Sequence, residues 1–168
     1  MRRPIALAAT TAASFVAMEP ATYAAHRWVM HGVGWALHRS HHQASLKALE
    51  ANDAFPVMFA SATVVLMAAG AGRSSLRPLQ AVGAGVTLYG AAYGFVHDVY
   101  IHSRLGTVPR VGLLERLRQA HRIHHLFQGE PYGMLFPIVP AELRARVALA
   151  GPEPAGADFM ARGRGRAA

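Results

Sequence analysis

The sequence predicts an all-α integral membrane protein with about three to four transmembrane helices and a histidine-rich site gathered on one side of the membrane. Three observations predict it. Of the 168 residues, 52% are hydrophobic and only 15% charged, a balance tilted away from that of ordinary soluble domains. Three apolar runs are long enough for a helix rising about 1.5 Å per residue to cross a hydrocarbon core of about 30 Å. All ten histidines fall in two stretches, His26 to His42 and His97 to His125, and each stretch reads HxxxxH followed by HxxHH.

The first run, Ile5 to Ala25, holds 21 residues broken only by Glu19. Arg2 and Arg3 before it resemble the start of a secretory signal peptide, but Glu19 and Pro20 spoil its end and no small-x-small cleavage site follows. Pro20 should kink the helix. Ala54 to Gly72, 19 residues without a charge, and Leu79 to Val96, 18 more, flank a turn at Arg73 to Pro78 and read as a transmembrane hairpin. Gly83, Gly90 and Gly94 in the third run suit close helix packing in lipid. From Val111 to Phe127 apolar residues recur at three and four with arginines between them, which predicts an amphipathic helix at the interface. Tyr132 to Pro140 is apolar but short and broken by proline, and is expected to dip against the mouth of the site. Residues 1–140 thus make one membrane-embedded domain, and 141–168 a basic C-terminal tail expected to be disordered, most clearly over Gly151 to Ala168, which is Gly, Pro, Ala and Arg in composition.

Three spans place the residues after the first, before the second and after the third on one side, so every histidine shares that side. Thirteen of the seventeen Lys and Arg side chains lie there too, against Arg2, Arg3, Arg73 and Arg77 opposite. The positive-inside rule then makes the histidine side cytoplasmic. The net charge of +8 follows from this topology. No nucleic acid partner is expected, because the bases lack the aromatic interleaving of such a face. With no cysteine there is no thiolate ligand, disulfide or cysteine nucleophile.

On a helix the three histidines of HxxHH fall within an arc of about 100°, so one face can hold a metal. HxxxxH puts its two about 140° apart, and a helix end or bulge must redirect the second; Gly32, Gly34 and Gly106 are the candidate positions. Two such pairs converge most simply on a two-metal site built from His26, His31, His38, His41, His42, His97, His102, His121, His124 and His125. Imidazole suits iron, copper or zinc. Acids at Glu-x-x-His spacing are missing, as is HExxH, which sets aside carboxylate di-iron bundles and zinc proteases. A bis-histidine haem protein would carry its ligands singly within facing spans, and a non-catalytic membrane metal-binding protein or carrier would line a span with them. Around the histidines, Asp98 can accept a ligand N–H from His97 or pair with Arg104. Glu19, seven residues before His26 and on nearly the same helix face, is a candidate acceptor inside the span. Asn52 and Asp53 close the loop before the second span, where capping is the first reading. Trp28, Trp35 and Tyr100 are expected as interfacial anchors.

HRWVMHG, LHRSHH, the group Glu50, Asn52 and Asp53, HDVYIHSR and AHRIHH together resemble the bacterial β-carotene hydroxylases of the fatty acid hydroxylase superfamily, over about Met18 to Phe136. The resemblance implies a non-haem di-iron monooxygenase of the bacterial inner membrane, with the ten histidines as ligands of two iron ions. It implies O2 as co-substrate, reduced ferredoxin as electron donor, and a carotenoid taken from the membrane lipid. The implied reaction hydroxylates the 3 and 3′ carbons of β-ionone rings, converting β-carotene through β-cryptoxanthin to zeaxanthin. Arg104, Arg110, Arg116, Arg118 and Arg122 near the last box are candidates to dock an acidic ferredoxin. Gly129 to Phe136 is similar but not identical to the corresponding segment of those enzymes. Carotenoid ketolases and fatty-acid or sterol hydroxylases of the superfamily are the alternatives.

Overall fold

The structure, a computed structural model, describes residues 2–43, 49–106 and 108–149. Among these residues every regular element is helical. Helix α1 (Arg2–Ala24) runs on as a π-helical stretch, Ala25–Val33, and is followed by the single turn α2 (Trp35–His38). Helix α3 (Ala54–Gly72) and helix α4 (Arg77–Gly94) form the hairpin, and α4 also runs on as a π-helical stretch, Phe95–Ile101. Helices α5 (Gly112–Phe127) and α6 (Ala141–Leu149) complete the described residues.

Three helical segments are long and apolar enough to cross a membrane: Arg3–Val33, Ala51–Gly72 and Ser74–Ile101. The first and third reach past the apolar runs read from sequence, because the chain stays helical through the first histidines instead of ending before them. At 31 residues the first is roughly 45 Å long by its rise, well over the hydrocarbon core, so its histidine end stands at or beyond the interface. Pro20 lies inside α1, which continues past it.

Helix α4 is the middle of the bundle, packed against α1 on one side and α3 on the other. Two glycines allow this. A Cβ on Gly85 would overlap the Thr11 carbonyl oxygen and lie 2.7 Å from Ser14 Cβ, while one on Gly83 would overlap the Met67 side chain. Gly90 and Gly94 have nothing within 4 Å of such a Cβ, so of the three glycines expected at packing contacts only Gly83 is at one. Thr11 Oγ1 donates across to the Ala81 carbonyl at 3.1 Å, a bond that a helix pair in lipid can keep free of water.

At the histidine end a small apolar core forms from Val96, Tyr100, Ile101 and Met134, with Leu114 and Leu117 packed on it. Tyr100 is only 6% exposed and is a core residue rather than an interfacial anchor. Its hydroxyl donates to the Val111 carbonyl at 3.2 Å and accepts the Val111 N–H at 2.9 Å, pinning the start of α5. Both backbone groups lie at a helix start that has no side-chain cap, which explains why a buried hydroxyl is used there. The first nine residues of the expected tail are helical as α6, whose Ala, Leu, Glu and Arg content favours helix. The disorder expected for Gly151 to Ala168 falls outside the described residues.

Gly85→Ala should lower the thermal midpoint of the purified protein by several degrees, the scale of about 1–3 kcal/mol that overpacking costs, with Gly90→Ala unchanged. Equal midpoints for both in detergent-solubilised protein would contradict the packing described.

Candidate metal centre

The HxxxxH spacing is resolved by the π-helical stretches. A π turn closes its hydrogen bond between residues five apart, so it returns i+5 to the face of i, which an α-helix does not. The second stretch shows this on the histidines themselves: the His102 N–H donates to the His97 carbonyl at 2.9 Å. The first ends with the Gly34 N–H on the Val29 carbonyl at 2.7 Å, and Gly32 leaves helical geometry at φ −104°, ψ −115°. Of the glycines expected to redirect the chain, Gly32 and Gly34 lie within or at the cap of the first π stretch. Gly106, at φ 124°, turns the loop after the second.

The ten histidines then sort into two groups. His26, His31, His38, His42 and His124 bring one ring nitrogen each within 4.8 Å of one another, and His41, His97, His102 and His121 do the same. His125 joins the second group, its Nε2 lying 3.2 Å from that of His41 and 3.0 Å from that of His121. Each group therefore takes both histidines of one HxxxxH, the first and third histidines of the HxxHH that follows it, and the middle histidine of the other HxxHH. Helical rotation causes the exchange, because residues i and i+4 share a face while i+3 stands about 100° away from i+4. One HxxHH face serves two centres rather than one.

The inward atoms are Nε2 throughout the pairs that approach. His26 to His38 is 3.1 Å, His31 to His124 3.1 Å, and His42 to His38 3.2 Å. In the second centre His97 to His41 is 2.9 Å and His102 to His121 3.1 Å. Two nitrogens each about 2.1 Å from one ion at a right angle lie about 3 Å apart, so these separations fit ligands sharing a cation. The outward nitrogens are turned to acceptors. His26 Nδ1 donates to the Tyr132 carbonyl at 3.0 Å, His38 Nδ1 to Asn52 Oδ1 at 2.7 Å, and His124 Nδ1 to the Gly129 carbonyl at 2.5 Å. His97 Nδ1 donates to Asp98 Oδ1 at 3.3 Å, and His41 Nδ1 faces Glu50 Oε2 at 3.6 Å. An Nδ1–H held this way fixes the tautomer and leaves Nε2 as a bare donor for metal.

Burial keeps these rings neutral. It pulls the His38 imidazole down to about 4 and, with neighbouring imidazoles adding to it, the His42 ring to about 2. His41, His121 and His124 are pushed well below the ordinary histidine value, by burial first. Neutral imidazole is the form that binds a cation.

The other expected residues divide. Asn52 supports His38. Asp98 touches both His97 and Arg104. Asp53 accepts the Glu50 N–H at 2.9 Å as a cap and takes a two-pronged bond from Arg104, both prongs at 2.7 Å. Glu19 supports no histidine: it accepts the backbone N–H groups of Met134, Leu135 and Phe136 and the Tyr89 hydroxyl. Three amides and a phenol satisfy a carboxylate within a span where no water can. Of the five docking arginines, Arg104 is committed to Asp53 and Asp98, and Arg118 is buried against Glu115. Arg110 and Arg116 are exposed, Arg110 with an ion pair to Glu115 at 3.0 Å, and Arg122 is half-buried.

The loop after the last box, expected against the mouth of the site from Tyr132 onward, does lie there, but the supports it gives the histidines were not assigned from sequence. Its Gly129 and Tyr132 carbonyls hold His124 and His26, and the Tyr132 ring lies 5.1 Å from that of His31. Glu130 ties the same loop to α1 through the Tyr23 hydroxyl at 2.5 Å and Arg27 at 2.9 Å. Carbonyl acceptors leave no side-chain signal; Glu130 was the one available clue. Trp35, expected as an interfacial anchor, lies over the first centre, with its ring 5.1 Å from His31 and 5.4 Å from His42.

Membrane-length helices carrying two convergent imidazole clusters, each able to hold a cation, define the class of protein to which the fold and site point. The chain belongs to the fatty acid hydroxylase family, whose model matches residues 11–140. It is 41% identical over 138 residues to a protein named beta-carotene hydroxylase from Pseudescherichia vulneris, covering 79% of this chain and 77% of that one. It is 39% identical over 136 residues to the beta-carotene hydroxylase of Pantoea ananas, covering 77% of each. A chloroplastic beta-carotene hydroxylase of Capsicum annuum is 37% identical over 125 residues, 71% of this chain and 39% of that protein. No solved structure matches the chain.

The full chain is expected to bind two ions, and the pair His26→Ala/His31→Ala or the pair His97→Ala/His102→Ala to leave one, as counted by elemental analysis of purified protein. Loss of both ions from either pair would mean that the clusters do not bind separately. An added Cβ on Gly133 would lie 2.8 Å from Glu19 Oε1. Gly133→Ala should therefore disturb the loop and weaken the first centre about tenfold, the scale of lost outer support for a ligand, with the second unchanged in a metal titration.

Proposed function

We propose that the protein is a β-carotene 3-hydroxylase, taking β-carotene through β-cryptoxanthin to zeaxanthin with O2 and a reduced ferredoxin-type donor. The similarity to proteins named beta-carotene hydroxylase carries this reading, and the two imidazole clusters supply the chemistry it needs. His26, His31, His38, His42 and His124 would hold one iron, and His41, His97, His102, His121 and His125 the other. Iron bound there would activate dioxygen so that one oxygen atom enters a C–H bond as hydroxyl and the other leaves as water, with two electrons from the donor and two protons from solvent.

The protein's own part is positioning and exclusion. The neutral imidazoles would hold cations without adding charge of their own at the ligating atoms. Phe55, Ile101 and Met134, each 3% exposed or less, wall the centres from water. Trp28, Val29, Val33, Phe95, Phe136 and Ile138 are exposed around the histidine end and offer an apolar carotenoid a route from the bilayer, ring first. Such a route presents ring carbons to the centres before the polyene.

The inner membrane is the location that fits a bacterial enzyme of this kind, and the excess of bases at the histidine end supports a cytoplasmic orientation. An acidic donor arriving from that side meets Arg110 and Arg116, which raise its encounter rate.

Expression in a bacterial strain that accumulates β-carotene is expected to yield zeaxanthin with some β-cryptoxanthin by chromatography and mass. Ketone products would make the protein a ketolase. Unchanged β-carotene with metal-loaded protein in the membrane would move the substrate to another lipid.

A further inference from the structure

The two centres differ in what stands behind their ligands. In the first, the outward nitrogens of His26, His38 and His124 donate to uncharged oxygens, on Tyr132, Asn52 and Gly129. In the second, His97 donates to Asp98, and His41 Nδ1 faces Glu50 at 3.6 Å in a pair whose side chains are each only 4% exposed. Asp53 is tied into the same set through the Glu50 N–H and Arg104. Three carboxylates and one guanidinium therefore form a linked set with a formal charge of −2 beside the second centre. The acids nearest the first centre are turned elsewhere, Glu130 to Arg27 and Glu19 to three backbone amides.

We propose that the two centres are unequal by construction: the one formed by His41, His97, His102, His121 and His125 takes up its cation first and holds it more tightly, with Glu50 and Asp98 as the positioning residues that make the difference. A carboxylate behind an imidazole polarises its N–H and pushes electron density onto the opposite nitrogen, which strengthens that nitrogen as a ligand. An amide or carbonyl oxygen orients the ring equally well but supplies no net charge. Net negative charge in a poorly screened site favours a cation further. The proposal rests on metal binding by the histidines and not on the identity of the lipid substrate.

Stepwise addition of Co2+ to the metal-free full chain in detergent, read by visible absorption against a competing chelator, tests it. Two dissociation constants differing by about tenfold or more are expected, and Glu50→Gln or Asp98→Asn should weaken the tighter step by about 10–100-fold, the usual effect of losing such a partner. Asn52→Leu should weaken the other step instead. The pair His97→Ala/His102→Ala should keep only the weaker constant. Equal constants in the unsubstituted protein overturn the proposal without reference to any variant's folding, as does movement of the same step by Glu50→Gln and Asn52→Leu. Absence of Co2+ binding overturns both this and the metal-binding reading, whereas equal constants beside intact hydroxylation overturn this one alone.

Discussion

The fold depends on one constraint: imidazole nitrogens from separate segments must arrive within about 3 Å of each other. A regular α-helix cannot aim two side chains five residues apart at one point, so both membrane helices that carry HxxxxH are wound as π-helix over their last turns. π-Helix is rare because its backbone packs less well, and here it persists where two neighbours brace it. Helix α2 packs against the first stretch and α5 against the second. The glycines that permit close approach of α4 to α1 and α3 set the helix ends side by side, which is what allows four boxes to meet.

The membrane imposes a second constraint, since polar groups inside the protein must find partners within it. The chain has nine acids, and the described ones that face the site act as struts rather than ligands. Glu19 fixes the loop at Met134 to Phe136, Glu130 joins that loop to Tyr23 and Arg27, and Asp53 and Asp98 share Arg104. Among the described residues, the two groups that bring ring nitrogens together therefore contain histidine alone, and the carboxylates around them are engaged with other partners.

The spans and the histidine clusters were legible because both follow from local rules: apolar length against bilayer thickness, and ligand spacing against helical rotation. The split of each HxxHH between two centres was implicit in the offset between i+3 and i+4, but choosing it over a single face needs the position of the other box. Glu19 illustrates the limit more sharply. Its spacing from His26 put it on the inner face of α1, yet three of its partners, Met134, Leu135 and Phe136, come from residues more than a hundred positions later in a loop with no regular structure, and the fourth, Tyr89, from α4. Tyr100 and Trp35 were read from residue type, as aromatic rings near an interface. A buried backbone pair took the one and the first histidine centre the other. The arginines after His97 likewise separate only in space: Arg104 and Arg118 are held against acids and largely covered, while Arg110, although paired with Glu115, and Arg116 stay exposed.

The reciprocal exchange of His41 and His124 has a mechanical consequence. Neither centre can form from its own half of the chain, because each lacks its fifth nitrogen until the other half docks. A cation in the first centre would join α1, α2 and α5, and one in the second would join the end of α4, α5 and the turn after α2. The two also meet directly, with the His42 and His125 rings stacked at 4.3 Å. Binding free energy at either centre is therefore also free energy of assembly, spent on the same contacts between α1, α4 and α5. For a small bundle with an exposed apolar surface and a modest core, that coupling makes the site part of what holds the histidine end together, and it ties the spacing of the two centres to the packing of the membrane helices beneath them.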